Sequence, residues 1–339
     1  MEDSHRHRPE EKSALRRVFQ APEWGLVAGI CAVLVLIYYL DTSHAFFMEY
    51  SRQTLLHQVA LFGILSVGAA VVIISGGIDL SIGAVVALSS IVCAKLMTDW
   101  LRSDPTAAMP PSSGVIGLAI ALTLLLGLGI GFLHAFLINQ LRLPPFIATL
   151  ATMAGLRSLA AIVSKNQSIN VPYESFRIWG RDPLWTEALF LLVAALASLM
   201  MGTTVLGRHL YALGGNEAAA RLSGLSTRRL KAVAYGLSGM LASLGGILFT
   251  GRSGQADSRL GFTYELYAIT SAVVGGCSLS GGVGSIRGTV LGLLLIQIVI
   301  KGTGIVSPRG IDSTQVEGLV LGAVVVLAVA FNQRFRAKG

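Results

Sequence analysis

Asp79 reads as the one acid set deep among apolar runs, in the stretch Gly76-Gly77-Ile78-Asp79-Leu80-Ser81-Ile82-Gly83. An ionisable group in such surroundings is costly, so it is a candidate for handling a proton, a cation or a polar solute in transit. The same residues also have a structural reading. After a Gly-Gly pair and before an apolar run, Asp79 or Ser81 can cap a helix at a break in the membrane. Gly76, Gly77, Leu80, Ser81 and Gly83 recur as Gly275, Gly276, Leu279, Ser280 and Gly282 at a constant offset of 199, a hint of the internal repeats that transporters often carry. Ser278 stands opposite Asp79 in the second copy, so the turn itself does not demand the acid.

Other residue patterns point to chemistry that the chain cannot complete. Gly236-Leu237-Ser238-Gly239 has the form of an intramembrane protease nucleophile, but the last histidine is His209, so a base downstream of Ser238 is lacking and packing explains the motif better. No His-Glu-x-x-His occurs, and Cys31, Cys93 and Cys277 lie far apart within apolar stretches, as packing residues do. Gly127-x-Gly129-x-Gly131 has no strand before it and reads as close helix packing, with Gly127/Gly131 and Gly288/Gly292 at small-xxx-small spacing. A nucleotide loop of the Walker A type needs Gly-Lys, which is absent from the chain. Polar groups on apolar spans, namely His57, Gln58, Thr149, Thr152 and Gln297, are either path residues or interhelical hydrogen-bonding groups.

The sharpest local feature is the loop from Gly207 to Gly224. Asn216 is a good N-cap, Glu217 suits the positive end of a helix dipole, the alanines propagate, and Gly224 can stop the helix in a left-handed conformation. About two turns fit. A helix that short is marginal alone and calls for a docking partner, with Ala218, Ala219 and Leu222 as a small apolar contact surface. Glu217 and Arg221 stand i to i+4 and can pair with each other or with charges on that partner.

These residues need a scaffold in lipid. Segments of about 20 apolar residues recur along a chain of 339 residues that is 53% hydrophobic and 13% charged, with mean hydropathy +0.68. Ten spans are expected at 24–40, 55–75, 78–97, 114–138, 143–163, 184–201, 231–250, 265–280, 284–306 and 315–331. Each must be helical, because backbone polar groups in hydrocarbon need internal partners. With a cytoplasmic N-terminus, fifteen Lys and Arg fall inside and eight outside, so the positive-inside rule puts both termini in the cytoplasm. The expectation is an all-α polytopic bundle at 24–331 between tails at 1–23 and 332–339. The net charge of +8 follows from topology and does not indicate nucleic acid.

The stretch Tyr211-Ala212-Leu213-Gly214-Gly215-Asn216-Glu217-Ala218-Ala219-Ala220-Arg221-Leu222-Ser223-Gly224 resembles the coupling segment of the ribose/xylose/galactose-type permeases of ABC importers. The Gly76–Gly83 stretch, Pro144-Pro145-Phe146-Ile147-Ala148-Thr149-Leu150 and Ser278-Leu279-Ser280-Gly281-Gly282-Val283-Gly284-Ser285 resemble further motifs of that family, in matching order. The likeness runs from about residue 50 to 330. It implies a permease subunit of the bacterial inner membrane, itself not an enzyme, that homodimerises, binds a cytoplasmic ATPase through residues 216–224 and receives a monosaccharide from a periplasmic binding protein. No cofactor is then held by this chain, since ATP is hydrolysed by the partner. Two alternatives stand beside it: an ion-coupled secondary transporter, and a branched-chain amino acid ABC permease, against which the Gly-Gly-Asn-Glu-Ala-Ala-Ala-Arg stretch argues.

Overall fold

In a computed structural model the described residues are 23–101 and 111–306, with 318–319, 322–323 and 326. Helices dominate: α1 (Glu23–Leu40), α2 (Glu49–Ile74), α3 (Ile82–Lys95), α4 (Ser113–Asn139), α5 (Pro145–Ser164), α6 (Glu174–Arg181), α7 (Pro183–Thr203), α8 (Val205–Gly215), α9 (Glu217–Leu222), α10 (Thr227–Ser253), α11 (Tyr264–Val274) and α12 (Ile286–Val306). A wider helical turn, Leu96–Trp100, extends α3, and one short antiparallel strand pair joins β1 (Ile169–Asn170) to β2 (Gln255–Ala256).

Among the described residues seven helices are long and apolar enough to cross a membrane: α2, α3 with its extension, α4, α5, α7, α10 and α12. The expected spans at 55–75, 114–138, 143–163, 184–201, 231–250 and 284–306 correspond to α2, α4, α5, α7, α10 and α12. The span expected at 24–40 is α1, which is apolar but at the short end of the spanning range. The chain from Gly77 to Leu80 is not helical, so the expected span at 78–97 starts as a helix only at Ile82. The span expected at 265–280 is shortened to α11, whose 11 residues cover about 16 Å. Gly276, at φ 92, stops it. The spans at 315–331 and both tails lie outside the described residues, apart from Glu23 and the five helical positions between 318 and 326.

The core is built by α2, α3 and α10, whose side chains are the most enclosed in the molecule. Glycine allows a close crossing between α4 and α10. A Cβ at Gly131 would lie 2.7 Å from the Gly236 Cα, and one at Gly239 would lie 3.0 Å from the Gly131 nitrogen. Hydroxyl pairs tie α3 to α10: Ser89 to Ser243 and Ser90 to Thr250, each at 2.6 Å. Such pairs satisfy polar groups that lipid would leave bare.

The loops fall into two sets. On one side, β1 pairs with β2, Ser168 donates to Asp257 (2.7 Å), and His57 Nε2 meets the Gly180 carbonyl (2.9 Å). On the other, Gly282 N donates to the Ile74 carbonyl (2.9 Å), Asn139 to the Arg228 carbonyl (3.1 Å) and Tyr211 to the Gly284 carbonyl (2.8 Å). This sorting matches the alternation of the span assignment: 164–183 and 251–263 share one face, while 139–144, 202–230 and 281–285 share the other.

A candidate coupling site where the helix breaks meet

The short helix α9 forms as its residues require. Asn216 Oδ1 accepts from Ala219 N (2.9 Å), and after Leu222 the chain turns through Gly224 at φ 84, with Gly224 N on the Arg221 carbonyl and Leu225 N on the Ala220 carbonyl. Ala220 is buried beneath it. Ala218, Ala219, Arg221, Ser223 and Leu222 face outward, with Leu222 88% exposed, which leaves an apolar side chain without cover among the described residues. Glu217 does not pair with Arg221; its carboxylate meets Lys231 Nζ at 2.7 Å, from the first turn of α10. The helix is thus pinned at its N-terminal end and open along its outer face.

Directly before α9, Gly214 touches the main chain of both breaks. A Cβ there would collide with the Ile74 carbonyl oxygen and stand 2.6 Å from Gly282 N and 3.0 Å from Gly76 N. Gly76, at φ 84, lies where the Cβ of any other residue would be 3.2 Å from the Gly214 Cα. Leu210 and Leu213 of α8 are buried, so the glycine is held against this junction. Tyr211 adds a polar tie to Gly284, and burial of its phenol pushes its pKa up, keeping it a donor.

The repeat is real in its capping grammar but slips by one residue. After α2, Ser75, Gly76 and Gly77 donate to Val71, Ile73 and Val72; after α11, Gly275, Gly276 and Cys277 donate to Ser271, Val273 and Ala272. That is an offset of 200. The next turn keeps the offset of 199: Ser81 N and Oγ donate to Asp79 Oδ1 (2.9 and 2.6 Å), while Ser280 N bonds Ser278 Oγ at 3.2 Å and the two hydroxyls lie 2.9 Å apart. The first copy therefore carries one more residue between its left-handed glycine and its side-chain turn.

Asp79 is 2% exposed, and the acid does what Ser278 cannot: its second oxygen accepts from Ser238 Oγ on α10 at 2.7 Å. Ser238 is thereby a donor to a carboxylate, while the His134 imidazole bonds Thr152 at 2.7 Å, so no serine–histidine pair forms here. Thr149, fully buried at the start of α5, and Tyr235 of α10 both direct hydroxyls at the Ile78 carbonyl (3.2 and 3.4 Å). The non-helical segment 77–81 is thus held by α5 and α10 together. Gln58 is half-buried on α2 and outside this network; Gln297 is buried on α12 with Nε2 unpartnered among the described residues.

Asp79 is not the only enclosed acid. Glu265, at the start of α11, has a side chain 12% exposed, lies 4.0 Å from Arg157 of α5, and faces Gly83 closely enough that a Cβ there would meet its carboxylate. Arg157 also donates to the Gly261 carbonyl (2.8 Å) and stacks over Phe262. Arg157 falls inside the 143–163 span and Glu265 at the edge of the 265–280 span, so nothing in the sequence joins them. His134 and Tyr235, whose rings are 6.1 Å apart, gave no signal beyond polar groups on apolar helices.

Below the breaks lies a cavity of about 840 Å³, lined by Gly76, Gly77, Arg142, Gly214, Glu217, Arg221, Arg228 and Lys231 among others. It runs from α9 to the Gly76-Gly77 break, and its lining is predominantly polar and cationic. No group of three or more candidate metal ligands occurs among the described residues.

Comparison with known proteins identifies the family and several relatives. The family described as branched-chain amino acid transport system / permease component matches residues 51–329. The chain is 33% identical over 318 residues to the ribose import permease protein RbsC of Escherichia coli (strain K12), covering 90% of this chain and 93% of that one. It is 34% identical to RbsC of Bacillus subtilis (strain 168), covering 89% and 91%, and 31% identical to the galactose/methyl galactoside import permease protein MglC of E. coli (strain K12), covering 91% and 94%. No solved structure matches the chain. The protein therefore belongs to the branched-chain amino acid transport system / permease component family.

Proposed function

We propose that this chain is the membrane-spanning permease subunit of an ATP-driven, binding-protein-dependent importer for a monosaccharide, working as a homodimer in the bacterial inner membrane with both termini cytoplasmic. The observation that carries the reading is the seat of Gly214 against Ile74, Gly76 and Gly282. A partner that pulls on α9 moves, through one rigid contact, both places where the transmembrane helices are broken, and that is what alternating access driven from outside the bundle requires. In this reading nucleotide hydrolysis falls to that partner, and the lack of a Gly-Lys dipeptide in the sequence supports it.

The full-length relatives named for ribose and galactose import support a sugar over an amino acid, although the family description names branched-chain amino acids. The ion-coupled alternative loses its main support, because both oxygens of Asp79 are engaged by Ser81 and Ser238. Asp79, Ser81, Thr149 and the Gly76-Gly77 break act in this reading as the hinge of the path, while Gln58 and Gln297 are lining candidates.

The test is co-expression with the ATPase encoded beside the permease gene, followed by purification through a tag on this chain. Co-purification of the ATPase from wild type, and its loss from Glu217→Arg or Leu222→Asp chains that remain membrane-inserted, is the expected result. Full association and uptake in both variants would remove 216–224 from the coupling role.

A further inference from the structure

A second concavity lies away from the coupling site, between α7 and α12, with a volume of about 650 Å³. Leu191, Ala194, Ala195 and Leu199 form one wall and Val290 the other, and Arg287 stands at one end. The two alanines make the indentation. Arg287 is exposed, and no carboxylate lies within ion-pair distance of it among the described residues. From α8, Arg208 donates to the Thr203 carbonyl at the end of α7 (3.2 Å) and adds a second guanidinium there.

We propose that this groove binds a single anionic phospholipid of the leaflet on the Gly214 side, its acyl tail between α7 and α12 and its phosphate on Arg287. Length fits. From Leu191 to Leu199 is about 12 Å of helix, close to half of the roughly 30 Å hydrocarbon core and thus to one leaflet. The charge fits too, because basic side chains at the edge of an interhelical groove recognise anionic headgroups.

The full-length permease is reconstituted in nanodiscs of phosphatidylethanolamine and phosphatidylglycerol, released in mild detergent and weighed by native mass spectrometry. Wild type is expected to retain one phosphatidylglycerol per chain in preference to phosphatidylethanolamine. Arg287→Gln should lower that retention about fivefold, the size of one basic side chain's contribution near an anionic surface, and Arg287→Lys should preserve it. Ala195→Trp, which fills the groove, should abolish retention of either lipid at this site. Equal retention of both headgroups by wild type, or unchanged retention in Arg287→Gln, overturns the proposal. So does a disulfide between Ala195→Cys and a cysteine placed at 318–326, which would assign the groove to the chain's own C-terminal segment.

Discussion

Gly214 and Gly215 are adjacent in sequence and opposite in surroundings, which makes them a paired test of the coupling junction. Gly→Ala within a helix raises intrinsic helix stability by up to about 1 kcal/mol, so propensity alone predicts a small gain at both. At Gly215 nothing lies within 4 Å of the added methyl, and the gain should stand. At Gly214 the methyl would collide with the Ile74 carbonyl and lie 2.6 Å from Gly282 N, the two groups that share a 2.9 Å hydrogen bond. Overpacking against main chain costs about 1–3 kcal/mol, and loss of that bond about 1 kcal/mol more. After the propensity gain is set against these, Gly214→Ala should lose about 1–3 kcal/mol. The protein could relieve the clash only by shifting α8 away from both breaks. The assay is uptake and ATP hydrolysis by the permease–ATPase complex in proteoliposomes, with thermal unfolding of each variant in detergent. Gly215→Ala should match wild type, while Gly214→Ala should unfold earlier and hydrolyse ATP with reduced uptake per ATP. If the two variants give the same uptake per ATP, the junction does not transmit the stroke and the reasoning fails.

Three further outcomes follow from the same contacts. In a double-mutant cycle, Asp79→Ser and Ser238→Ala should couple by about 1.5–3 kcal/mol, the range for a hydrogen bond to a charged group; Asp79→Ser should be milder than Asp79→Ala because Ser278 makes the same turn, and additive effects in chemical unfolding would contradict the Asp79–Ser238 link. Charge reversal of Glu217 with Lys231 should change stability by less than about 1 kcal/mol, as for exposed pairs, yet the double reversal should recover ATPase binding that Glu217→Lys alone loses, as read by pull-down. On the opposite face, the Arg259 amide and then the Ser168 hydroxyl hold the Asp257 carboxyl below its ordinary value. Its contribution is therefore full above the unfolded value of about 4 and lost as pH falls through the lower folded value, so protection of the Val171 amide from hydrogen exchange should stay constant down to about pH 4 and drop below it.

What the sequence reveals here is the local grammar. The cap at Asn216 and the stop at Gly224 were legible because both depend on residues within one helical turn. The two glycine-rich breaks were legible as a repeat, but the one-residue slip was not: residue identity aligns Gly76 with Gly275, whereas the left-handed conformation belongs to Gly76 and Gly276. The Lys231 partner of Glu217 was not legible, because the pairing expected lay with Arg221 or with charges on a docking partner, whereas Lys231 is supplied by a different helix, 14 residues on. Glu265 was overlooked for a related reason. Its enclosure comes from Gly83 and Arg157, which are distant in the chain, and hydropathy averages a single acid away. The shortness of α11 was concealed in the same manner, since an apolar window cannot see that Gly275 and Gly276 end a helix early.

The meeting of Gly76, Gly214 and Gly282 is main chain against main chain, and this separates two properties that evolution would otherwise have to tune together. The nearest neighbours of Gly76, Gly214 and Gly282 at that junction are backbone atoms, so its geometry does not depend on which side chains surround it. On the coupling proposed above, side chains along the path can change while this backbone junction stays as it is, so that a new preference need not be accompanied by a new engine.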